Sequence, residues 1–231
     1  NVWFRRVRLT TVSDLFEVAL SGGKPSRVTV PGALSLVESP PRREPAGGPG
    51  ATRLVSAGSG QLAFASDGTT IESAVLEGGV TASEGTTTSI RAPRATIRGD
   101  DQSAVFAGTA AEPARYEDPK ARVSASVLTW FRKEERIEGA GNVKTSIRGR
   151  EGAELLGGSG NAPVFSESDF LRVTTKDRKV LLTGNVTAWQ EENVLRAQTL
   201  RIDDRDRSLR AEGSVRAVLR RRRVDPKTKA A

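Results

Sequence analysis

The side chains in this sequence that could carry out chemistry are mostly paired carboxylates. Asp100-Asp101, Glu134-Glu135 and Asp203-Asp204 could in principle act as general acid and base, as carboxylate pairs do in glycosidases. However, the same kind of polar cluster recurs at Asp67-Gly68 and at Asp177, each time between two runs of alternating apolar and polar residues. The recurrence favours turn residues over catalytic ones.

Two weaker motifs point to a metal or a phosphate. The acidic run from Asp203 to Asp206 has some of the spacing of a calcium loop, but it lacks the glycine and the distal bidentate glutamate of such a loop. Gly22-Gly23-Lys24 lacks the Ser or Thr that follows the lysine in a phosphate-binding loop. We therefore predict no metal site and no cofactor.

Composition removes most catalytic chemistry. The chain of 231 residues contains no cysteine and no histidine. Thiolate nucleophiles, disulfides, the Ser-His-Asp triad and histidine metal sites are therefore all excluded. The sequence predicts a protein that is not an enzyme.

The positive charge is concentrated near the C-terminus. The formal net charge is +8, and residues 201–231 hold eleven Lys/Arg and five Asp/Glu, a net charge of +6, which leaves +2 for the first 200 residues. The run Arg220 to Arg223 fits either a solvated end that protects an edge strand or a site of attraction for an anionic partner.

A local repeat organises the chain. A glycine followed two residues later by a small or β-branched residue begins at Gly78, Gly108, Gly141, Gly184 and Gly213, with steps of 30, 33, 43 and 29 residues. The 43-residue step contains a loop-like stretch rich in glycine, residues 152–160. We interpret this pattern as a repeat with one insertion.

The periodicity around each copy is two, which is typical of half-buried strands. In the last copy Leu209, Ala211, Gly213 and Val215 share one face, and in the fourth copy Leu182, Gly184 and Val186 do so. Each repeat therefore predicts a strand, a tight turn and a second strand, and stacked hairpins form an all-β fold. The segment Trp189 to Leu200 could be a helix by composition, but a turn at Glu191 to Asn193 followed by a strand keeps the repeat in phase.

Three segments follow from composition. Residues 1–52 are predicted to be an N-terminal strand segment, with the strand-like run 27–30, followed by a Pro/Gly-rich linker at 39–52. Residues 53–219 form the repeat domain, and residues 220–231 form a basic tail.

The apolar stripe of the repeats is built from small side chains, so its residues indicate either a packed core alone or a core with a ligand groove.

The residues of the last repeats resemble a known family. The runs Leu182-Thr183-Gly184-Asn185-Val186, Leu195-Arg196-Ala197-Gln198-Thr199-Leu200 and Leu209-Arg210-Ala211-Glu212-Gly213-Ser214-Val215 look like the OstA-like domain of lipopolysaccharide-transport proteins, which occurs in LptA, in LptC and at the N-terminus of LptD. Gly141-Asn142-Val143 fits the same pattern. The long insertion and the first 52 residues depart from it, so an LptC-like or fused member is also compatible.

The resemblance implies an open β-jellyroll, or β-taco, in the periplasm. Its apolar interior would hold the acyl chains of lipid A, and similar jellyroll domains would join end to end as a bridge between the inner and outer membranes. The inner-face positions expected to contact lipid are Leu76, Val80, Val143, Val180, Leu182, Val186, Leu200, Ile202, Leu209 and Val215. Two alternatives remain: a structural or adhesive β-solenoid with a solid core, and a nucleic-acid-binding module that uses the C-terminal arginines.

Overall fold

The computed structural model describes residues 2–4, 7–11, 15–38, 52–99, 102–148, 156, 162–203, 205–206 and 208–220. Throughout these residues the regular structure consists of β-strands, and every strand pairing is antiparallel. The protein is all-β, as the period-two pattern predicts. No helix with the length and hydropathy of a membrane span occurs in these ranges.

Nineteen strands make up the sheet in the described residues. The first nine are β1 (Val2–Phe4), β2 (Val7–Thr11), β3 (Glu17–Ser21), β4 (Lys24–Val30), β5 (Leu34–Glu38), β6 (Arg53–Ala57), β7 (Ser59–Phe64), β8 (Ile71–Glu84) and β9 (Thr88–Arg98). The rest are β10 (Ser103–Ala107), β11 (Ala114–Glu117), β12 (Ala121–Ala125), β13 (Val127–Phe131), β14 (Arg136–Ile147), β15 (Val164–Thr174), β16 (Lys179–Gln190), β17 (Asn193–Asp203), β18 (Ser208–Glu212) and β19 (Arg216–Val218).

The pairings divide the strands into two half-sheets that share their long strands. Half-sheet I runs through β3, β4, β7, β8, β9, β10, β13, β14, β15, β16, β17 and β18. Half-sheet II runs through β1, β2, β5, β6, β8, β9, β11, β12, β14, β15, β16, β17 and β19. The long strands β8, β9 and β14 to β17 give one part of their length to each half-sheet.

The repeated glycine motif marks the line along which the sheet bends from one half to the other. The register of β8, β14 and β16 shifts at Gly78-Gly79, Gly141-Asn142 and Gly184-Asn185, where two residues stand opposite one on the neighbouring strand. All six of these residues have positive φ, between 48° and 84°. Glycine and asparagine are the residues that adopt this conformation most readily, so the motif encodes a row of β-bulges.

The bulges also explain why the apolar alternation in the sequence continues across the bend. In β16 the buried residues on either side of the bulge are Leu182 and Val186. They are four positions apart, because the extra bulge residue lies between them. In β17, which has no bulge, the matching buried residues are Ala197 and Leu200, only three positions apart. Gly184 was expected to lie on the inner face, but it belongs to the bulge.

The predicted hairpin turns are present where they lie within the described residues. Asp67-Gly68 lies in the turn between β7 and β8, and Glu134-Glu135 connects β13 to β14. Asp177 lies between β15 and β16, and Glu191 begins the turn before β17, which confirms the strand interpretation of that segment. Asp100, Asp101 and Asp204 lie outside the described residues.

The first 38 residues belong to the same sheet as the repeats. Strand β4 pairs with β7, and β5 pairs with β6, so these two strands are hydrogen-bonded directly to the repeat domain, and β1, β2 and β3 join the sheet through them. Leu9, Val28, Val30, Leu34 and Leu36 are all buried in its core. Residues 39–51 of the expected linker and 221–231 of the expected tail lie outside the described residues.

Candidate functional site

The inner faces of the two half-sheets form a common hydrophobic core. Six of the ten expected lipid-contacting residues lie deep within it, each no more than 3% exposed. They are Leu76, Val80, Val143, Leu182, Val186 and Leu200. Val180, Ile202 and Leu209 are partly buried and pack against this core. The alternation in the sequence therefore placed nine of the ten residues on the inner face.

Val215 departs from the expected pattern. It is 48% exposed. Like Val143 and Val186 it follows a pair of residues with positive φ, Gly213 and Ser214, but it lies between β18 and β19, which pair with β17 alone among the described strands. Strand β19 starts one residue later, at Arg216. Val215 is therefore not buried in the core as the pattern predicts, because no further described strand covers it at this end of the sheet.

A groove lies between the half-sheets at the edge opposite the bend, where the hairpin turns of half-sheet I face the strand ends of half-sheet II. It contains two cavities of about 490 and 390 Å³. Both lie within the size range of small-molecule sites. Trp130, Ala82, Arg53 and Arg132 line both cavities, so the two spaces adjoin one another. We call this space the mouth groove.

The floor of the mouth groove is apolar and comes from both half-sheets. Leu36 and Val55 belong to half-sheet II, and Ala74, Phe106 and Trp130 belong to half-sheet I. The small Ala74 stands on the inner face where a longer side chain would fill the space. None of the ten expected lipid-contacting residues lines either cavity.

The rim of the mouth groove carries charged side chains. Arg53 donates to Glu84, with its Nη2 2.7 Å from Oε1, and its Nη1 lies 3.7 Å from Glu38 Oε2. Arg132 Nη1 lies 3.2 Å from the same Glu38 oxygen. Arg98 also borders the larger cavity at the end of β9, but it alternates with the inward-facing Ile97, so its exposed side chain lies on the outer face. The groove thus joins an apolar floor to a rim with two arginines, Arg53 and Arg132.

Tyr116 closes the inner side of the smaller cavity. Its hydroxyl donates to Asp118 Oδ2 at 2.6 Å. Burial, together with this hydrogen bond to a carboxylate, raises the pKa of Tyr116 well above its ordinary value. The phenol therefore stays protonated at all physiological pH values and serves as a neutral donor.

The far part of half-sheet II is more polar inside. Thr145 and Ser166 share a hydrogen bond of 2.6 Å, and both are buried. Leu156, from the segment that connects β14 and β15, is 4% exposed, and its carbonyl accepts a hydrogen bond from Asn193 Nδ2 at 2.8 Å. Apart from Leu156, the glycine-rich stretch 152–160 lies outside the described residues.

Sequence reasoning missed the residues of the mouth groove. Trp130 and Phe106 follow the same alternation as the expected residues, but they lie in the copies of the repeat where the motif is weakest. Glu38 and Arg53 flank the Pro/Gly-rich segment, and nothing in the local sequence brings them to Arg132, which is 94 positions from Glu38. The useful signal would have been the small inward-facing residues Ala74 and Ala104.

Comparisons with known proteins give no match to a sequence family and one weak structural similarity. No protein-family model matches the chain, and no curated protein matches it significantly. Among solved structures, a similar one is LptH from Pseudomonas aeruginosa, described as the LptA-homologous periplasmic component of the conserved lipopolysaccharide transport device. The two chains are 11% identical with a TM-score of 0.48, and the match covers 58% of this chain and 94% of LptH. The function proposed below rests instead on the groove and on the sequence.

Proposed function

We propose that this protein is a non-catalytic lipopolysaccharide-binding protein of the periplasm that shields the acyl chains of lipid A between its half-sheets. The observation that carries the proposal is the mouth groove, an apolar cavity of about 490 Å³ with arginines on its rim. An amphipathic anion fits such a site, because its apolar part leaves water while its charged part stays at the surface. The OstA-like repeat motif supports lipopolysaccharide as that anion.

The energetics favour an acyl chain as the occupant of the floor. Each methylene group transferred from water to an apolar site contributes about 0.8 kcal/mol, so even a short stretch of chain gives useful affinity. Leu36, Val55 and Phe106 offer no hydrogen-bonding groups that a sugar would need. The floor therefore suits hydrocarbon better than a polar ligand.

In this proposal, lipid reaches the buried inner-face residues through an opening of the sheet. Leu182, Val186 and Leu200 are buried by other protein side chains, so lipid contacts them only when the half-sheets separate. In the proposed cycle the ligand enters at the mouth groove and displaces protein contacts further along the interior. Leu76, Val80, Val143, Val180, Ile202 and Leu209 belong to the same group.

The sheet edges support a proposal about assembly. Strand β18 pairs with β17 alone, and β3 pairs with β4 alone, within the described residues. Unpaired strand edges accept further strands. End-to-end association with a similar jellyroll domain would pair these edges and extend the interior, as a bridge between two membranes requires.

A structural role is the second candidate, and the filled interior favours it. Leu62, Leu128 and Leu171 are each no more than 1% exposed, so much of the space between the half-sheets is solid protein. A nucleic-acid role has less support. Arg220 donates to Glu192 at 2.7 Å, and the other three arginines of that run lie outside the described residues.

Photo-crosslinking at adjacent positions distinguishes these candidates. Trp130 lines the mouth groove, whereas the next residue, Phe131, lies on the outer face beneath the guanidinium of Arg136, 3.7 Å from the ring centroid. A photoreactive phenylalanine at each position conserves an aromatic side chain. We expect lipopolysaccharide to be captured from position 130 and not from position 131.

The opposite results are equally clear. Equal capture from both positions, or no capture from either in protein that unfolds cooperatively, would exclude the groove as the binding site and leave the structural role. A third photoreactive residue at Leu182 tests the opening of the sheet. Capture there should appear later than capture at position 130.

A further inference from the structure

An ion pair joins the two half-sheets across the open edge of the groove. Glu38 ends β5 in half-sheet II, and Arg132 follows β13 in half-sheet I. Arg132 Nη1 lies 3.2 Å from Glu38 Oε2, and Arg132 Nη2 lies 3.4 Å from Glu38 Oε1. Within the described ranges no other ion pair connects the two half-sheets. We call the group Arg53, Glu38 and Arg132 the rim bridge.

The rim bridge stands where the two cavities of the mouth groove adjoin. Arg53 and Arg132 line both cavities, whereas Glu38 lines the larger one. The bridge therefore divides a space that would be continuous if Glu38 moved away from Arg132. Its position allows it to control how far the half-sheets separate.

The rim bridge is weakly held. The side chains of Arg132 and Glu38 are 31% and 33% exposed, so water screens their attraction. Arg53 has Glu84 as a second and closer partner, at 2.7 Å compared with 3.7 Å for Glu38. Arg53 therefore keeps an ion-pair partner when Glu38 moves away.

A phosphate group would satisfy this rim better than Glu38 does. A phosphate monoester carries a charge of about −1.5 to −2 and three strong acceptor oxygens, whereas a carboxylate carries one charge and two oxygens. Arginine binds phosphate in a bidentate manner. Arg53 and Arg132 supply two guanidinium groups at this rim.

We propose that Glu38 occupies a phosphate subsite formed by Arg132 and Arg53, and that the phosphate of an incoming lipid displaces it and releases the rim bridge. This inference rests on the proposed function and deepens it, because it assigns the charged part of the ligand to named residues. The ligand is a phosphorylated lipid, since the subsite opens directly onto the apolar floor.

The test compares three charge-neutralising variants with the unchanged protein. Glu38→Gln removes the competing charge, and Arg132→Gln removes a phosphate ligand. Glu77→Gln is the matched control, because Glu77 forms an exposed pair with Arg94 at 3.3 Å near the bend and lines neither cavity. Binding is measured in detergent with lipid A and with enzymatically dephosphorylated lipid A, and inorganic phosphate is added as a competitor.

We expect Glu38→Gln to bind lipid A severalfold more tightly, and Arg132→Gln to bind it about tenfold more weakly, the effect of losing one charged hydrogen bond. Both variants should bind the dephosphorylated lipid as the unchanged protein does, and Glu77→Gln should change neither affinity. Millimolar inorganic phosphate should not displace lipid A, because it lacks the apolar part.

Four other outcomes would overturn the inference. If Arg132→Gln weakens both lipids equally, or if Glu38→Gln weakens binding of lipid A, the rim does not discriminate phosphate. If the unchanged protein binds both lipids equally well, the subsite is wrong while the groove stands. If it binds neither, the proposed function itself fails.

Discussion

The row of bulges makes a quantitative prediction about stability, centred on Gly184. A Cβ atom at this position would lie 2.3 Å from Asp169 Oδ2 and 2.7 Å from Asp169 Cβ. The second distance matters more, because the Cβ of Asp169 cannot move without its backbone. Gly184→Ala must therefore displace β15 at the bend.

The magnitude has two parts. An alanine held at φ +78° costs about 1–2 kcal/mol relative to glycine, because its Cβ crowds the following carbonyl. Displacing Asp169 also breaks its 2.9 Å hydrogen bond from Asn185 Nδ2, which contributes about 1 kcal/mol. We expect a loss of about 2–3 kcal/mol in the free energy of unfolding.

Gly79 is the matched control. It has φ +84° in the equivalent bulge of β8, but a Cβ added there would meet no atom within 4 Å. Gly79→Ala should therefore show only the conformational cost, about 1–2 kcal/mol. Urea unfolding followed by tryptophan fluorescence measures both, and for a chain of this size each kcal/mol corresponds to a shift of about 2–4 °C in Tm. Equal losses in the two variants would refute the steric argument.

The remaining predictions concern the core, the corrected residue and one turn. Leu200→Ala should lower the free energy of unfolding by about 2–5 kcal/mol in urea denaturation, because the side chain is 1% exposed. Val186→Lys should prevent folding, so that no cooperative unfolding transition is seen. Val215→Lys should change the free energy of unfolding by about 0.5 kcal/mol or less in the same assay. Hydrogen bonds from the side chain and backbone of Thr70 hold the pKa of Asp67 below its ordinary value of 3.8, so the folded state favours the carboxylate. Asp67→Asn should therefore be less stable than the unchanged protein above pH 4, and thermal unfolding at decreasing pH should show this difference shrinking.

Local features of the fold were predictable because short-range chemistry fixes them. The Asp67-Gly68 turn forms because the Asp67 carboxylate accepts two backbone hydrogen bonds, from Thr69 and Thr70, each at 2.8 Å. Such contacts involve neighbours in the sequence, so composition reveals them. The strand starting at Asn193 was predictable for a similar reason, since its alternation continues that of the preceding strands.

The bend was not predictable from the same pattern. A bulge adds one residue to β16, so Leu182 and Val186 are an even number of positions apart. Two residues on the same face of a straight strand have that spacing too. The sequence of an uninterrupted strand and that of a bulged, bent strand therefore look alike. The clue was Gly184-Asn185 itself, because both residues favour positive φ, and its recurrence at Gly141-Asn142 marks the same bend line.

The inward orientation of most of the expected residues was predictable from the sequence, but the position of the groove was not. The alternation correctly predicted that Leu182 and Leu200 face inward. An inward-facing residue, however, can be packed against other side chains or open to a ligand. The difference depends on which residues face each other across the fold, and the contact between Glu38 and Arg132 spans 94 positions. No local pattern carries that information.

Side-chain size explains why the groove lies near the N-terminal repeats. The inner face around the larger cavity includes Ala74, Ala82 and Ala104, whose side chains stop at Cβ. Further along the sheet, equivalent inner positions hold larger residues such as Leu171 and Leu182, which lie side by side on the neighbouring strands β15 and β16 and are buried in the core. Because protein interiors pack to nearly constant density, space for a ligand arises where small residues face one another at an edge that other elements leave open. The same folded sheet thus provides a filled core at one end and a groove at the other, and a ligand that enters the groove meets the core only by separating the half-sheets.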